Sequence, residues 1–280
     1  MSNFLRRTLT AVWIVVFILG GFWLHPVTFF LTGLVLLTGA QYEYYLIVRS
    51  NGTPVQMVNG IITGAALYII SSLVAAGHID ARFLMLIFIP AFLIMTNELY
   101  RKQERPFDSL AHTFFGVVYI AFPFSLFPFA AFSQTGMDTL IPHGDIVFSP
   151  GIIVGFLLLL WANDTAAYLT GVTLGRHRLM ERISPKKSWE GFFGGLIITV
   201  LAAWLLSGWF GVVNTAGWIV IALIITVTGT FGDLIESMFK RSMGVKDSGT
   251  ILPGHGGFLD RFDSAIVSFP LVYLFIALFG

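Results

Sequence analysis

The stretch Ala216-Gly-Trp-Ile-Val-Ile-Ala-Leu-Ile-Ile-Thr-Val-Thr-Gly-Thr-Phe-Gly-Asp-Leu-Ile-Glu236 decides the class of fold. It is about as long as the roughly 20 helical residues needed to cross a 30 Å hydrocarbon core. It is apolar until Asp233 and Glu236 near its end. Immediately beyond it, Ser237-Met-Phe-Lys-Arg241 leads through Lys246-Asp-Ser-Gly249 to Pro253-Gly-His-Gly-Gly-Phe-Leu-Asp-Arg-Phe-Asp263, and a further apolar run covers 264–279. A loop between membrane helices needs only polarity and a turn. This one gathers carboxylates, cations and glycines, which are the materials of a metal-phosphate site.

Across the whole chain, 56% hydrophobic residues, 11% charged residues and a mean hydropathy of +0.83 exclude a soluble globule. The expected fold is an all-α, polytopic membrane protein. Membrane-length apolar runs fall near 8–24, 27–48, 57–76, 83–100, 113–132, 151–171, 191–210, 216–236 and 264–279, about nine transmembrane helices. The first run follows Arg6 and Arg7, yet Leu24-His-Pro offers no small-x-small cleavage site, so it reads as an uncleaved helix. A net charge of +1 gives no electrostatic reason to expect nucleic acid as a partner. The absence of cysteine excludes disulfides, thiolate metal ligands and a cysteine nucleophile.

With the N-terminus inside, Arg6, Arg7, Arg49, Arg101, Lys102, Arg105, Arg176, Arg178, Arg182, Lys186, Lys187, Lys240, Arg241, Lys246 and Arg261 share one face, leaving Arg82 alone on the other, 15 against 1. The positive-inside rule then predicts an N-in, C-out orientation. No linker or internal repeat divides the chain, so residues 1–280 are read as a single membrane domain. Within it, 1–150 are N-terminal helices serving as scaffold, dimer contact or lipid groove, and 151–280 are catalytic helices and loops. Up to about residue 150 polar residues lie mostly at span ends, whereas beyond it they enter the spans. The second half is therefore where function is expected.

Within Trp161-Ala-Asn-Asp-Thr-Ala-Ala-Tyr168, Asn163 and Asp164 fall inside the sixth span with Tyr168 one turn beyond Asp164 on the same face. An aspartate at a helix centre costs roughly 2.5–3.5 kcal/mol on insertion scales, so Asp164 should face a polar cavity or a cation. A helix–helix hydrogen bond through Asn163 is the alternative. Next come Gly175-Arg-His-Arg178 and Arg182-Ile-Ser-Pro-Lys-Lys-Ser-Trp-Glu-Gly191, five cations running into a Gly-rich helix start. Ser184, Lys186 and Lys187 suit polyphosphate, although basic inner loops also serve topology or anionic lipid. In Thr230-Phe-Gly-Asp-Leu-Ile-Glu-Ser237, Asp233, Glu236 and Ser237 share a helix face, with Lys240 following Glu236 at i+4, a spacing that also makes simple stabilising pairs. Asp260 and Asp263 stand at the entrance to the ninth span, where a carboxylate can instead cap the helix, a reading that suits Asp263 better than Asp260. Gly60/Gly64, Gly151/Gly155 and Gly191/Gly195, at four-residue spacing, read as close-packing scaffold.

The string Ser237-x-x-Lys-Arg-x4-Lys246-Asp-x-Gly-x2-Leu-Pro-x-His-Gly-Gly-x-x-Asp260-Arg-x-Asp263 resembles the signature of the phosphatidate cytidylyltransferase family, also called CDP-diacylglycerol synthases, without departure. Asn163-Asp-x3-Tyr168, Ser184-Pro-Lys-Lys-x-Trp-Glu-Gly191 and Gly232-Asp-x2-Glu-Ser237 resemble its other motifs, so the likeness covers roughly 160–265. The resemblance implies that CTP and phosphatidic acid from the bilayer give CDP-diacylglycerol and pyrophosphate. It also implies a requirement for Mg²⁺, with room for two ions, at the cytoplasmic face of the inner membrane. On this reading Asp233, Asp260, Lys246, Asp247 and Arg261 are the catalytic candidates. Asp233 and Asp260 are the leading metal ligands, and Asp263 is a further one. Substrate contacts fall to Asn163, Asp164, Tyr168, Ser184, Lys186, Lys187, Ser237, Lys240 and Arg241, with Gly254, His255, Gly256 and Gly257 closing around phosphate. A homodimer is compatible with this reading.

Three alternatives compete. A secondary transporter would also carry intramembrane carboxylates, but here the acids gather at one face and no inverted repeat is visible. A transferase consuming a CDP-activated lipid would carry an Asp-Gly-x2-Ala-Arg-x8-Gly-x3-Asp-x3-Asp pattern, which is absent. A cytidylyltransferase for an isoprenoid lipid differs only in substrate.

Overall fold

The computed structural model describes residues 3–134, 146–249 and 256–280. They form helices α1 (Asn3–Leu24), α2 (Pro26–Ser50), α3 (Met57–Ala75), α4 (Phe88–Arg101), α5 (Pro106–Gly116), α6 (Phe122–Ser125), α7 (Phe127–Ala131), α8 (Gly151–Leu174), α9 (Trp189–Ser207), α10 (Thr215–Ser242) and α11 (Leu259–Phe279). A 3₁₀ stretch over Ala81–Ile87 runs into α4, and a π-helical turn over Val117–Ala121 joins α5 to α6. The protein is an all-α polytopic membrane protein. Seven helical stretches among the described residues are long and apolar enough to cross a bilayer, and they coincide with the third to ninth apolar runs. Helices α1 and α2 occupy the first two runs. The second half of α2 is made polar by Gln41, Glu43, Tyr44 and Tyr45.

Local chemistry explains several helix ends. His25 caps α2, its Nδ1 accepting from the Val27 N–H at 3.1 Å, and Pro26 takes the first helical position, where no N–H is needed. Ser188 caps α9 by accepting from the Gly191 N–H at 3.2 Å. Helix α10 carries Lys240 and Arg241 in its last turn, where cations complement the exposed carbonyls. Two antiparallel pairs of short strands interrupt the helices: β1 (Phe132–Gln134) with β2 (Ile146–Phe148), and β3 (Arg178–Met180) with β4 (Ser184–Ser188).

The chain divides into two compact units. The first comprises 1–150 together with 243–261, and the second 151–242 with 262–280, so α11 begins in the first and continues in the second. In the first unit an aromatic core of Phe22, Phe29, Phe124 and Phe127 is fully buried. Elsewhere in this unit a polar network ties α3, α4 and α5 together. Glu98 Oε2 accepts from Gln56 Nε2 at 2.6 Å, Arg101 Nη1 at 2.8 Å and Ser109 Oγ at 3.0 Å. A buried carboxylate is tolerated in such surroundings because charge-assisted hydrogen bonds replace water.

The second unit packs Phe156 of α8 on Phe269 of α11 at 5.1 Å between ring centres, with Trp218, Ile221 and Ile225 of α10 buried. Lipid is as apolar as these side chains, so close packing and interhelical hydrogen bonds must hold the helices together. Small residues supply the closeness. A Cβ on Gly195 would stand 2.9 Å from Asn163 Oδ1 and 3.2 Å from the Ala167 Cβ, so α8 and α9 meet there. Gly155 likewise faces the Trp218 ring, and in the first unit Gly60 faces the Tyr45 hydroxyl.

Candidate functional site

In the second unit α10 and α11 approach backbone to backbone at Gly232. A Cβ there would stand 2.9 Å from both the Asp263 carbonyl oxygen and the Ser264 Cα, while Ser264 Oγ donates to the Gly229 carbonyl at 3.1 Å. Asp233 and Asp263 flank this contact. The charges acting on Asp263 include those of Asp233, of Asp164 from α8 and of Lys187. Lys187 comes from β4, its Nζ 2.7 Å from Asp233 Oδ2 and 3.4 Å from the Thr230 carbonyl. Ser237, one turn beyond Asp233, donates from Oγ to Asp233 Oδ1 at 3.1 Å. Asp263 Oδ1 accepts from the Ser264 N–H at 2.6 Å.

Asp233 of α10, Asp164 of α8 and Lys187 of β4 thus lie close enough to Asp263 of α11 to act on it electrostatically. Among the described residues no three Asp, Glu or His side chains form a ready-made metal cage. Mg²⁺ does not require one, since it keeps waters and binds through one or two carboxylates plus substrate phosphates. Hard oxygen donors with a displaceable lysine fit that ion.

The signature segment, in the first unit, is organised differently. Asp260 accepts the Ser248 N–H at 3.2 and 3.1 Å on its two oxygens, and the Gly257 N–H at 3.0 Å on Oδ2. The Asp260 N–H in turn donates to Ser248 Oγ at 3.3 Å. Behind this pair stands Glu43 of α2. Its Oε2 accepts from Ser248 Oγ at 3.1 Å and from the Leu259 N–H at 2.9 Å. Gly256 has φ +81°, which an L side chain rarely adopts. A Cβ on Gly257 would fall on Glu43 Oε2 and Ser248 Oγ.

A sequence profile of the cytidylyltransferase family matches residues 5–279. This chain belongs to that family. Among curated relatives, the phosphatidate cytidylyltransferase of Staphylococcus haemolyticus (strain JCSC1435) is 33% identical over 276 residues, covering 96% of this chain and 98% of the relative. The enzyme of the same name from Staphylococcus epidermidis (strain ATCC 12228 / FDA PCI 1200) is 33% identical over 222 residues, 78% and 79% of the two chains. That of Staphylococcus aureus (strain COL) is 37% identical over 188 residues, just under two thirds of each chain at 66%. The protein is thus a membrane-embedded cytidylyltransferase.

The other sequence-predicted residues of this cytidylyltransferase are distributed as follows. Asn163 is buried and accepts from Thr199 Oγ1 at 3.4 Å, a link between α8 and α9 that makes it a packing residue. Tyr168 is 69% exposed, and Asp164 is also exposed. Ser184 is half-buried and Lys186 exposed on β4. Lys240 pairs with buried Glu236 at 2.8 Å, the i+4 pair that the spacing allows. Arg241, Lys246, Asp247 and Arg261 present exposed side chains. Gly254 and His255 lie outside the described residues.

The capping role for Asp263 needs correction. Helix α11 begins at Leu259, so Asp263 lies inside the helix, its carboxylate bonded to the neighbouring Ser264 N–H. The Arg261 N–H already donates to the Phe258 carbonyl at 3.1 Å, so the helix is under way before Asp263 is reached. Sequence reasoning also passed over Glu43 and Ser248, 1% and 6% exposed. A signal for Glu43 existed, since a carboxylate within an apolar run carries the same cost that singled out Asp164. Ser188, which caps α9, and Glu190, whose carboxylate lies 2.6 Å from His177 Nδ1, hold the β3–β4 hairpin to the start of α9.

Proposed function

We propose that this cytidylyltransferase condenses CTP with phosphatidic acid to give CDP-diacylglycerol and pyrophosphate. The observation that carries the reading is the Lys187–Asp233 ion pair with Asp263 and Asp164 in electrostatic reach, in a chain whose signature resembles that of phosphatidate cytidylyltransferases. The similarity to three staphylococcal enzymes of that name supports it.

A phosphate oxygen of phosphatidic acid attacks the α-phosphorus of CTP. A new P–O–P bond forms, the bond between the α-phosphorus and its bridging oxygen to the β-phosphate breaks, and pyrophosphate leaves with the electron pair. The attacking oxygen is already anionic near neutral pH, so no side chain need remove a proton. The task of the protein is to bring two anions together, align them and offset the charge of the leaving group.

Asp233 and Asp263 would hold Mg²⁺ in the second unit, with Asp164 as a further carboxylate. In the signature segment Asp260 would offer a further carboxylate to a cation. When bound, Mg²⁺ would neutralise and orient the triphosphate. Lys187 orients Asp233 through their ion pair and contributes its charge to phosphate. By the resemblance, Lys186, Lys240 and Arg241 of the second unit are candidates for phosphate contact, and so, within the first unit, are Lys246 and Arg261, where Gly256 and Gly257 allow close backbone approach. The chemistry is assigned to the cytoplasmic membrane face, where the basic loops gather and CTP is found, with the lipid arriving from the bilayer.

The test is transfer of labelled CMP from CTP to phosphatidic acid by purified protein in mixed micelles, with and without Mg²⁺ and with a polyprenyl phosphate as competing acceptor. Labelled CDP-diacylglycerol with equimolar pyrophosphate is expected. Product on the polyprenyl acceptor alone would reassign the lipid, and no product from folded protein would overturn the activity.

A further inference from the structure

We infer that Glu43, far from the signature in sequence, is a positioning residue that sets the Asp260 carboxylate through Ser248. Glu43 is 1% exposed, yet none of the ion pairs found among the described residues involves it. Its Oε1 has no hydrogen-bond partner among those residues, while Oε2 takes both donors. A buried carboxylate so sparsely compensated is costly, and α2 would pack better with an apolar residue at this position. The two bonds it does make both go to the signature segment, spanning 205 and 216 residues of sequence.

The connection to Asp260 runs through one hydroxyl. Ser248 Oγ gives its proton to Glu43 and so turns a lone pair toward the Asp260 N–H, which donates to it at 3.3 Å. The Ser248 N–H meanwhile holds both Asp260 oxygens. Fixing Ser248 therefore fixes Asp260 at both its main chain and its carboxylate. Glycines are needed around this relay: a Cβ on Gly249 would stand 2.7 Å from Glu43 Oε1, and one on Gly257 would overlap Glu43 Oε2. Neither a metal nor a substrate contact is assigned to Glu43. It acts through Ser248.

The inference rests on the proposed activity only for its catalytic readout, and the experiment separates the two. Hydrogen–deuterium exchange of the purified full chain in detergent, without substrate, is read over peptides covering 244–249 and 256–260. Glu43→Ala and Ser248→Ala are each expected to speed exchange at the Gly257 N–H, which is bonded to Asp260 and not to Glu43. CMP transfer should fall about tenfold or more in each, the scale of losing charge-assisted hydrogen bonds. The double variant should be no worse than the weaker single, because one relay is broken twice. Glu43→Gln, which keeps an acceptor at Oε2, should recover part of the loss. Unchanged exchange at Gly257 in the variants that fold, or losses that multiply in the double variant, would overturn the relay. If Glu43→Ala does not fold, Ser248→Ala decides alone. Absence of CMP transfer by the wild type would remove the activity while leaving the exchange result to judge the relay.

Discussion

Asp233 and Asp260 are both carboxylates at polar ends of apolar segments, yet they are held by opposite means. Asp233 is held by side chains, the Lys187 ammonium at 2.7 Å and the Ser237 hydroxyl at 3.1 Å. Main-chain N–H groups, those of Ser248 and Gly257, are among the partners that hold Asp260. Side-chain partners can swing away when a ligand arrives, because lysine has a flexible four-carbon stem. Backbone donors cannot move without refolding the turn. The first carboxylate is thus built for exchange of partners, and the second for a fixed direction.

The largest effect is expected from Asp233→Asn, which keeps shape and hydrogen bonding to Ser237 but removes the charge. We expect CMP transfer to fall by about 10²–10³-fold with an unchanged melting profile, on the scale of losing one preorganised electrostatic group. Near-normal turnover at saturating Mg²⁺ would detach Asp233 from the chemistry.

Lys187→Ala sharpens the same side of the contrast and should cost about 10–100-fold. If Lys187 is an exchangeable partner, part of that loss should appear as altered Mg²⁺ dependence, because the competing ammonium is gone. Lys187→Arg should recover activity only in part, since a planar guanidinium does not replace a point charge. Full recovery would mean that charge alone matters at this position.

Gly232→Ala tests the geometry that supports Asp233. The new Cβ would meet the α11 backbone at 2.9 Å, where overpacking costs about 1–3 kcal/mol and helices must separate. Lower thermal stability and activity reduced about tenfold are expected. An unaltered variant would show that α10 and α11 have slack at this contact.

The smallest effect on turnover is expected from Glu98→Gln, a control in the Gln56, Arg101 and Ser109 network. Weakening the buried pair with Arg101 should lower stability by about 1–3 kcal/mol while kcat changes less than about threefold. A larger fall in kcat than in stability would give the N-terminal network a part in catalysis.

Much of this protein was legible along the chain. Apolarity is a property of consecutive residues, so the helical segments from α3 onward matched the apolar runs, and composition alone excluded a soluble fold. The signature is also local, and its spacing pointed to the cytidylyltransferase family that the profile match then showed. Spacing further paired Glu236 with Lys240, because i,i+4 proximity follows from helix geometry. Folding in three dimensions decided what lay between distant segments. Neither the pairing of Lys187 with Asp233 nor the meeting of α10 with α11 at Gly232 has a periodicity to announce it. Glu43 is the clearest instance: its place in an apolar run marks it as costly, but its two donors lie more than 200 residues away. Local patterns report the solvent that each segment must face, whereas a long-range hydrogen bond exists only once packing has brought its partners within 3 Å or so and removed the water that would otherwise satisfy them.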